Sequence, residues 1–89
     1  MADKGMLQVE VVTRTQRLWH GLAASVVVPA AEGELGILYD RAPILAVLKA
    51  GLVRVDTTDA HHEFAVSKGF VSVDSNFVTI VVDEGKITA

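Results

Sequence analysis

At 89 residues, 51% hydrophobic and without cysteine, the chain is expected to be one domain (1–89) with neither a disulfide nor a thiolate metal site. Splitting so short a chain would leave each half too little apolar surface to offset its conformational entropy. A net charge of −3, with eight basic residues scattered along the chain, gives no basic stripe, so neither nucleic acid nor an anionic membrane surface is an expected ligand. No apolar run approaches the ~20 residues of a spanning helix, so no direct membrane insertion is expected, and residues 1–8 lack the apolar core of a signal peptide.

Fifteen residues are valine, and apolar positions mostly alternate with polar ones, the period of strands with one buried face. Leu7, Val9 and Val11 alternate with Gln8 and Glu10 and predict a strand over 7–12, with further strands over 16–19, 23–28 and 34–38. The stretch 44–49 follows; its mostly apolar residues 44–48 fit a strand or a helical turn equally. Val53 and Val55 flank Arg54 in a strand over 52–56, and the polar stretch 56–63 predicts a hairpin loop. Strands over 62–66, 70–74 and 77–82 complete the pattern. Punctuation at Gly21, Pro29, Gly33, Gly36, Gly51 and Gly69 recurs at the spacing of an all-β sandwich or barrel of many short strands. A domain of this size buries only roughly 60 to 65% of its extended-chain surface. The apolar surplus therefore points to a permanent protein partner.

Side chains that could carry chemistry do not form a convincing set. His61 and His62 are neighbours in the polar stretch and would point to opposite faces of an extended chain, so they chelate poorly as a pair and are expected to be solvated loop residues. Ser25, Ser67, His20 and Asp83 supply the residue types of a nucleophilic triad without any spacing that selects them. Glu32 and Glu34 flank Gly33 in a segment expected to be a charged surface loop rather than an acid/base dyad. Neither Gly-x-Gly-x-x-Gly nor Gly-Lys-Ser is present, so no phosphate-cradling loop is predicted. Lys49 before Ala50 and Gly51, and Lys68 before Gly69, stand where a lipoyl- or biotinyl-type carrier domain would present a modifiable lysine, but the acidic and Met or Ala flanks of such a site are missing. No catalytic residue, metal ligand or cofactor is assigned.

Residues 26–43 read Val-Val-Val-Pro-Ala-Ala-Glu-Gly-Glu-Leu-Gly-Ile-Leu-Tyr-Asp-Arg-Ala-Pro, followed by Ile-Leu-Ala-Val-Leu-Lys-Ala-Gly-Leu-Val-Arg-Val. This run resembles the signature of the epsilon subunit of F-type ATP synthases, called delta in mitochondria. Leu-Gln-Val-Glu-Val-Val-Thr from Leu7, Gly-Leu-Ala from Gly21, Phe-Ala-Val-Ser-Lys-Gly-Phe-Val from Phe64 and Val-Thr-Ile-Val-Val-Asp-Glu from Val78 extend the resemblance from about Leu7 to Glu84. Tyr39 stands where the family usually has Pro, Arg41 where it has His, Ala30 where Gly is common and Lys68 where a second Gly is common.

The resemblance implies a flattened sandwich of two antiparallel sheets with about ten strands. It further implies a non-catalytic rotor subunit of the central stalk, which docks on the gamma subunit and the polar loops of the c-ring and couples ion translocation to ATP synthesis. Such a subunit is peripheral to the membrane, on its cytoplasmic face in a bacterium. By analogy Glu32, Gly33 and Glu34 face the c-ring loops, and Leu38, Tyr39, Asp40, Arg41, Ala42 and Pro43 pack on gamma. The family continues beyond the position of Glu84 into two helices, whereas this chain stops at Ala89, so inhibition by helix extension and ATP sensing are expected to be absent. A carrier domain modified on Lys49 or Lys68 is the alternative, and a free-standing β-barrel enzyme the third reading.

Overall fold

The computed structural model describes residues 5–89; residues 1–4, part of the stretch without a signal-peptide core, lie outside them. Ten strands form: β1 (Leu7–Val12), β2 (Arg17–Ala23), β3 (Ser25–Ala30), β4 (Gly33–Leu38), β5 (Ile44–Leu48), β6 (Gly51–Asp56), β7 (His61–Val66), β8 (Gly69–Asp74), β9 (Phe77–Val82) and β10 (Gly85–Ile87). Their order is β10-β7-β6-β3-β5-β8-β9-β1-β2, with β4 on the other edge of β3. Because β3 and β5 share only the Ala30/Leu48 pair, the ladder folds there into two layers, β4-β3-β6-β7-β10 and β5-β8-β9-β1-β2. Neighbours are antiparallel except β1 and β9, which run parallel. The expected all-β sandwich of about ten strands is what forms.

Alternation turns one phase of each strand inward. Val26, Val28, Val53, Val55 and Phe64 from one layer meet Leu7, Val11, Val71, Val78 and Ile80 from the other, all fully buried. Each such side chain contributes ~1.5–3 kcal/mol on leaving water. No polar or charged residue is buried among the described residues, so the core carries no desolvation penalty of that kind. Trp19 faces inward on β2 opposite Val11, and its ring lies 5.2 Å from that of His62 at an interplanar angle of 42°, bridging the two layers where β2 approaches β7.

Three long strands bend from one layer to the other at Lys49 and Ala50, at Ser67 and Lys68, and at Asp83 and Glu84. The bends are held in register: the Lys49 amide donates to the Pro29 carbonyl, the Ser67 amide to the Glu84 carbonyl (both 2.9 Å) and the Asp83 amide to the Lys68 carbonyl (3.0 Å). A glycine follows each bend. At Gly69 a Cβ would lie 2.0 Å from the Val81 carbonyl oxygen, and at Gly51 2.9 Å from the Pro29 Cβ, so strand can cross strand there only without a side chain.

Several sequence expectations need correcting. Residues 44–48 are a strand, paired with β8 from Ile44/Val73 to Leu48/Gly69, because the full ladder with β8 overrides a weak local preference. Gly21 and Pro29 do not separate strands but lie within β2 and β3. His61, His62 and Glu63 belong to β7, and the loop before it shrinks to residues 57–60. β10 was not foreseen: three residues with Ile87 59% exposed show no alternation, and only the pairing of Gly85, Lys86 and Ile87 with Val66, Ala65 and Phe64 defines the strand.

Candidate functional site

The β3–β4 hairpin carries the acidic segment. Glu32 is exposed in its turn, Gly33 opens β4 opposite Ala30 with φ 135°, and Glu34 is exposed opposite Pro29. An Arg54 Nη2–H from β6 donates to Glu34 Oε2 at 3.0 Å. This surface ion pair is worth ~0–1 kcal/mol, but it draws the Glu34 side chain over the sheet face.

β4 ends in an exposed Leu38, and Tyr39, Asp40, Arg41, Ala42 and Pro43 follow, all exposed, in the connection to β5. Asp40 has φ 67°, and its amide donates to Asn76 Oδ1 at 2.6 Å. The loop leads directly onto an apolar band that sequence reasoning missed. On β5 the outward phase is Leu45 (74% exposed) and Val47 (66%). The registers align Val47 with Phe70, Phe70 with Val81 and Val81 with Val12, one apolar row crossing four strands. Phe70 and Phe77 are exposed on the same layer. The signal was available: β5 carries apolar residues in both phases, and a strand that is apolar in both phases has two covered faces.

The opposite outer face is more polar, although Leu52 on β6 is 42% exposed there. His61 pairs with Asp56 across the β6–β7 ladder, Nδ1 to Oδ1 at 2.5 Å, and Nε2 reaches Glu63 Oε2 at 2.9 Å. Hydrogen bonding to Asp56 first, and then to Glu63, raises the His61 pKa above its ordinary 6.5. His62 turns the other way, toward Trp19. The two histidines thus point to opposite faces as the sequence implied, but from a strand rather than a loop.

The nucleophile candidates are not assembled. Ser25 lies on β3 and His20 on β2, while Ser67 and Asp83 occupy two of the bends, and no hydrogen bond joins any two of their side chains among the described residues. The Ser67 hydroxyl is instead committed to the Glu84 backbone, accepting from its amide at 2.8 Å and donating to its carbonyl at 3.2 Å. Lys49 and Lys68 do not sit at hairpin tips: β5 does not pair with β6, nor β7 with β8, so each lysine occupies a bend between layers. That is not the geometry of a carrier lysine. No group of three or more His, Cys, Asp or Glu side chains able to hold a metal ion occurs among the described residues.

A family model described as the beta-sandwich domain of the ATP synthase delta/epsilon chain matches residues 6–86. The chain belongs to this family. It is 34% identical over 80 residues to the chloroplastic ATP synthase epsilon chain of Tetradesmus obliquus, covering 90% of this chain and 59% of that one. With the epsilon chain of Hyphomonas neptunium the identity is 38% over 87 residues, covering 97% of this chain and 63% of the relative. The chain therefore spans about three fifths of the length of these relatives. Among solved structures, a chain of the Euglena gracilis mitochondrial ATP synthase (OSCP/F1/c-ring) superposes with a TM-score of 0.87 at 20% identity over 93% of this chain and 54% of that one. A chain of the Tetrahymena thermophila mitochondrial ATP synthase central stalk and c-ring gives 0.76 at 19%, over 89% and 64%. These two share the delta/epsilon sandwich fold.

Proposed function

We propose that this delta/epsilon sandwich is a non-catalytic rotor element of an F-type ATP synthase, joining the gamma subunit to the polar loops of the c-ring and helping to couple ion translocation to ATP synthesis. The observation that carries the reading is the exposed apolar band of Leu45, Val47 and Phe70, on and beside the strand into which the Leu38–Pro43 loop leads, on a chain of this family. An apolar face running beyond the loop is what a permanent shaft-like partner covers, and a standard interface of ~800 Å² per partner has room for both.

In this reading Leu38, Tyr39, Asp40, Arg41, Ala42 and Pro43 pack on gamma, with Leu45, Val47 and Phe70 as apolar anchors. Glu32, Gly33 and Glu34 meet the c-ring loops, where Glu32 and the unpaired oxygen of Glu34 accept hydrogen bonds from basic or amide side chains. The two layers, bent through three shared strands, transmit force as one body. The domain lies peripheral to the membrane on the side where gamma meets the ring.

Co-expression with a gamma subunit and size-exclusion chromatography tests the proposal. Co-elution at micromolar concentration is the expected result. Separate elution of two folded proteins would overturn it.

A further inference from the structure

We propose that Asn76 is the positioning residue of the gamma-docking loop, and that the β8–β9 turn around it forms the second lip of the docking surface. The inference rests on the gamma reading above. Asn76 joins three segments: its Oδ1 accepts the Asp40 amide at 2.6 Å, its carbonyl accepts the Gln8 amide at 2.9 Å, and its own backbone completes the turn between Asp74 and Phe77.

Beyond the strand ladders, the Asp40 bond is the one hydrogen bond made by residues 39–43 among the described residues. It helps to fix Asp40 at φ 67°, in the turn at residues 39–40, a conformation that a non-glycine residue adopts only when its surroundings select it. The β8–β9 turn is itself fixed by its own chemistry. Ser75 (φ 53°) and Asn76 (φ 65°) both lie in the left-handed region, the pattern of a two-residue hairpin turn whose twist matches the strands. A rigid turn thus holds a loop that has little structure of its own.

Position matters because binding is weakened by whatever ordering remains to be done. Exposed Tyr39 and Arg41 sit on either side of the tethered Asp40, so freeing that amide would release the part of the loop with the largest side chains. In the two segments 38–43 and 74–77, Asp40 and Asp74 outnumber the one basic residue, Arg41, so the facing partner residues should include a basic side chain beside apolar ones.

Two variants test the role. Asn76→Gly keeps the positive φ and removes the acceptor, whereas Asn76→Asp keeps both an acceptor and tolerance of that φ. Amide hydrogen exchange read by NMR is expected to show Asp40 protected in the wild type, released in Asn76→Gly and protected again in Asn76→Asp, with core amides such as Val53 unchanged. Affinity for purified gamma is expected to fall roughly three- to tenfold in Asn76→Gly, the range for losing one neutral hydrogen bond, and to recover in Asn76→Asp. Release of Asp40 with undiminished affinity would overturn the positioning role while leaving the gamma reading intact. An unprotected Asp40 in the wild type would overturn the tether. A wild type that ignores gamma would overturn both the role and the reading beneath it.

Discussion

The two outer faces of this sandwich are both built from short strands, yet they differ in chemistry. Across β5, β8, β9 and β1 one outward row is Val47, Phe70, Val81 and Val12, and the next is Leu45, Ser72, Thr79 and Glu10. Across β6 and β7 it includes Asp56 facing His61 and Arg54 facing Glu63, with Glu34 reaching Arg54 from β4. One face satisfies itself through ion pairs and hydrogen bonds. The other has an ion pair of its own between Arg17 and Glu10 at the β1–β2 edge but exposes Leu45, Val47 and Phe70 toward β5, and this asymmetry, rather than any single residue, favours an apolar partner there.

The comparison depends on the bends that keep the two layers back to back, and the largest effect should come from breaking one. In Gly69→Ala the new Cβ would stand 2.0 Å from the Val81 carbonyl oxygen, a backbone atom that cannot rotate away. We expect a loss of about 3 kcal/mol or more, at the upper end of single-substitution effects, read as a lowered midpoint in urea denaturation. A midpoint within error of wild type would mean that the corner yields and that the faces are not rigidly opposed.

The next effect separates the faces directly. Val47→Asp places a charge in the middle of the apolar row at a position 66% exposed, so folding should change by only about 0.5 kcal/mol while gamma affinity falls by about 2 kcal/mol or more. Glu63→Gln, on the polar face, should leave that affinity unchanged. Calorimetric titration of both variants against gamma checks the contrast, and equal losses would dissolve it.

How far the sequence already specified this arrangement differs between core and surface. Val53 and Val55 around Arg54, or Val71 and Val73 around Ser72, announce both strand and inward phase, because a period of two fixes which side chains share a face. Gly51 and Gly69 read as punctuation between strands; they follow bends that carry the chain from one layer to the other, a distinction made only by which strands pair. The loop residues Leu38 to Pro43 came from family resemblance, and they do form one exposed segment. Leu45 and Phe70 were hidden by being apolar in the wrong phase, which a reading aimed at the core discards. The Asn76 tether was invisible, since its two ends lie 36 residues apart and neither has a local reason to meet the other.

A smaller effect concerns the acidic hairpin. Glu34→Lys replaces an ion pair with Arg54 by two like charges, but both groups face solvent, so stability should drop by no more than about 1 kcal/mol. Coupling is expected to suffer more than folding. Proton pumping by a reconstituted synthase carrying the variant should fall at unchanged subunit content, and unaltered pumping would remove Glu34 from the proposed ring contact.

The smallest effect belongs to His61 and tests whether the polar face is self-satisfied. Asp56 and Glu63 hold its protonated form, so its folded-state pKa lies above 6.5. A raised pKa stabilises the fold fully at pH values below 6.5, and the contribution disappears as pH climbs through the folded value. The stability advantage of wild type over His61→Gln should therefore be present at pH 5.5 and fade on the alkaline side, and Asp56→Asn should shift the fading to lower pH. Because the cluster is exposed, added salt should shrink the advantage further. A wild-type advantage that is flat across this range would show that the imidazole is held by shape alone, and that the polar face is not balanced by its own charges.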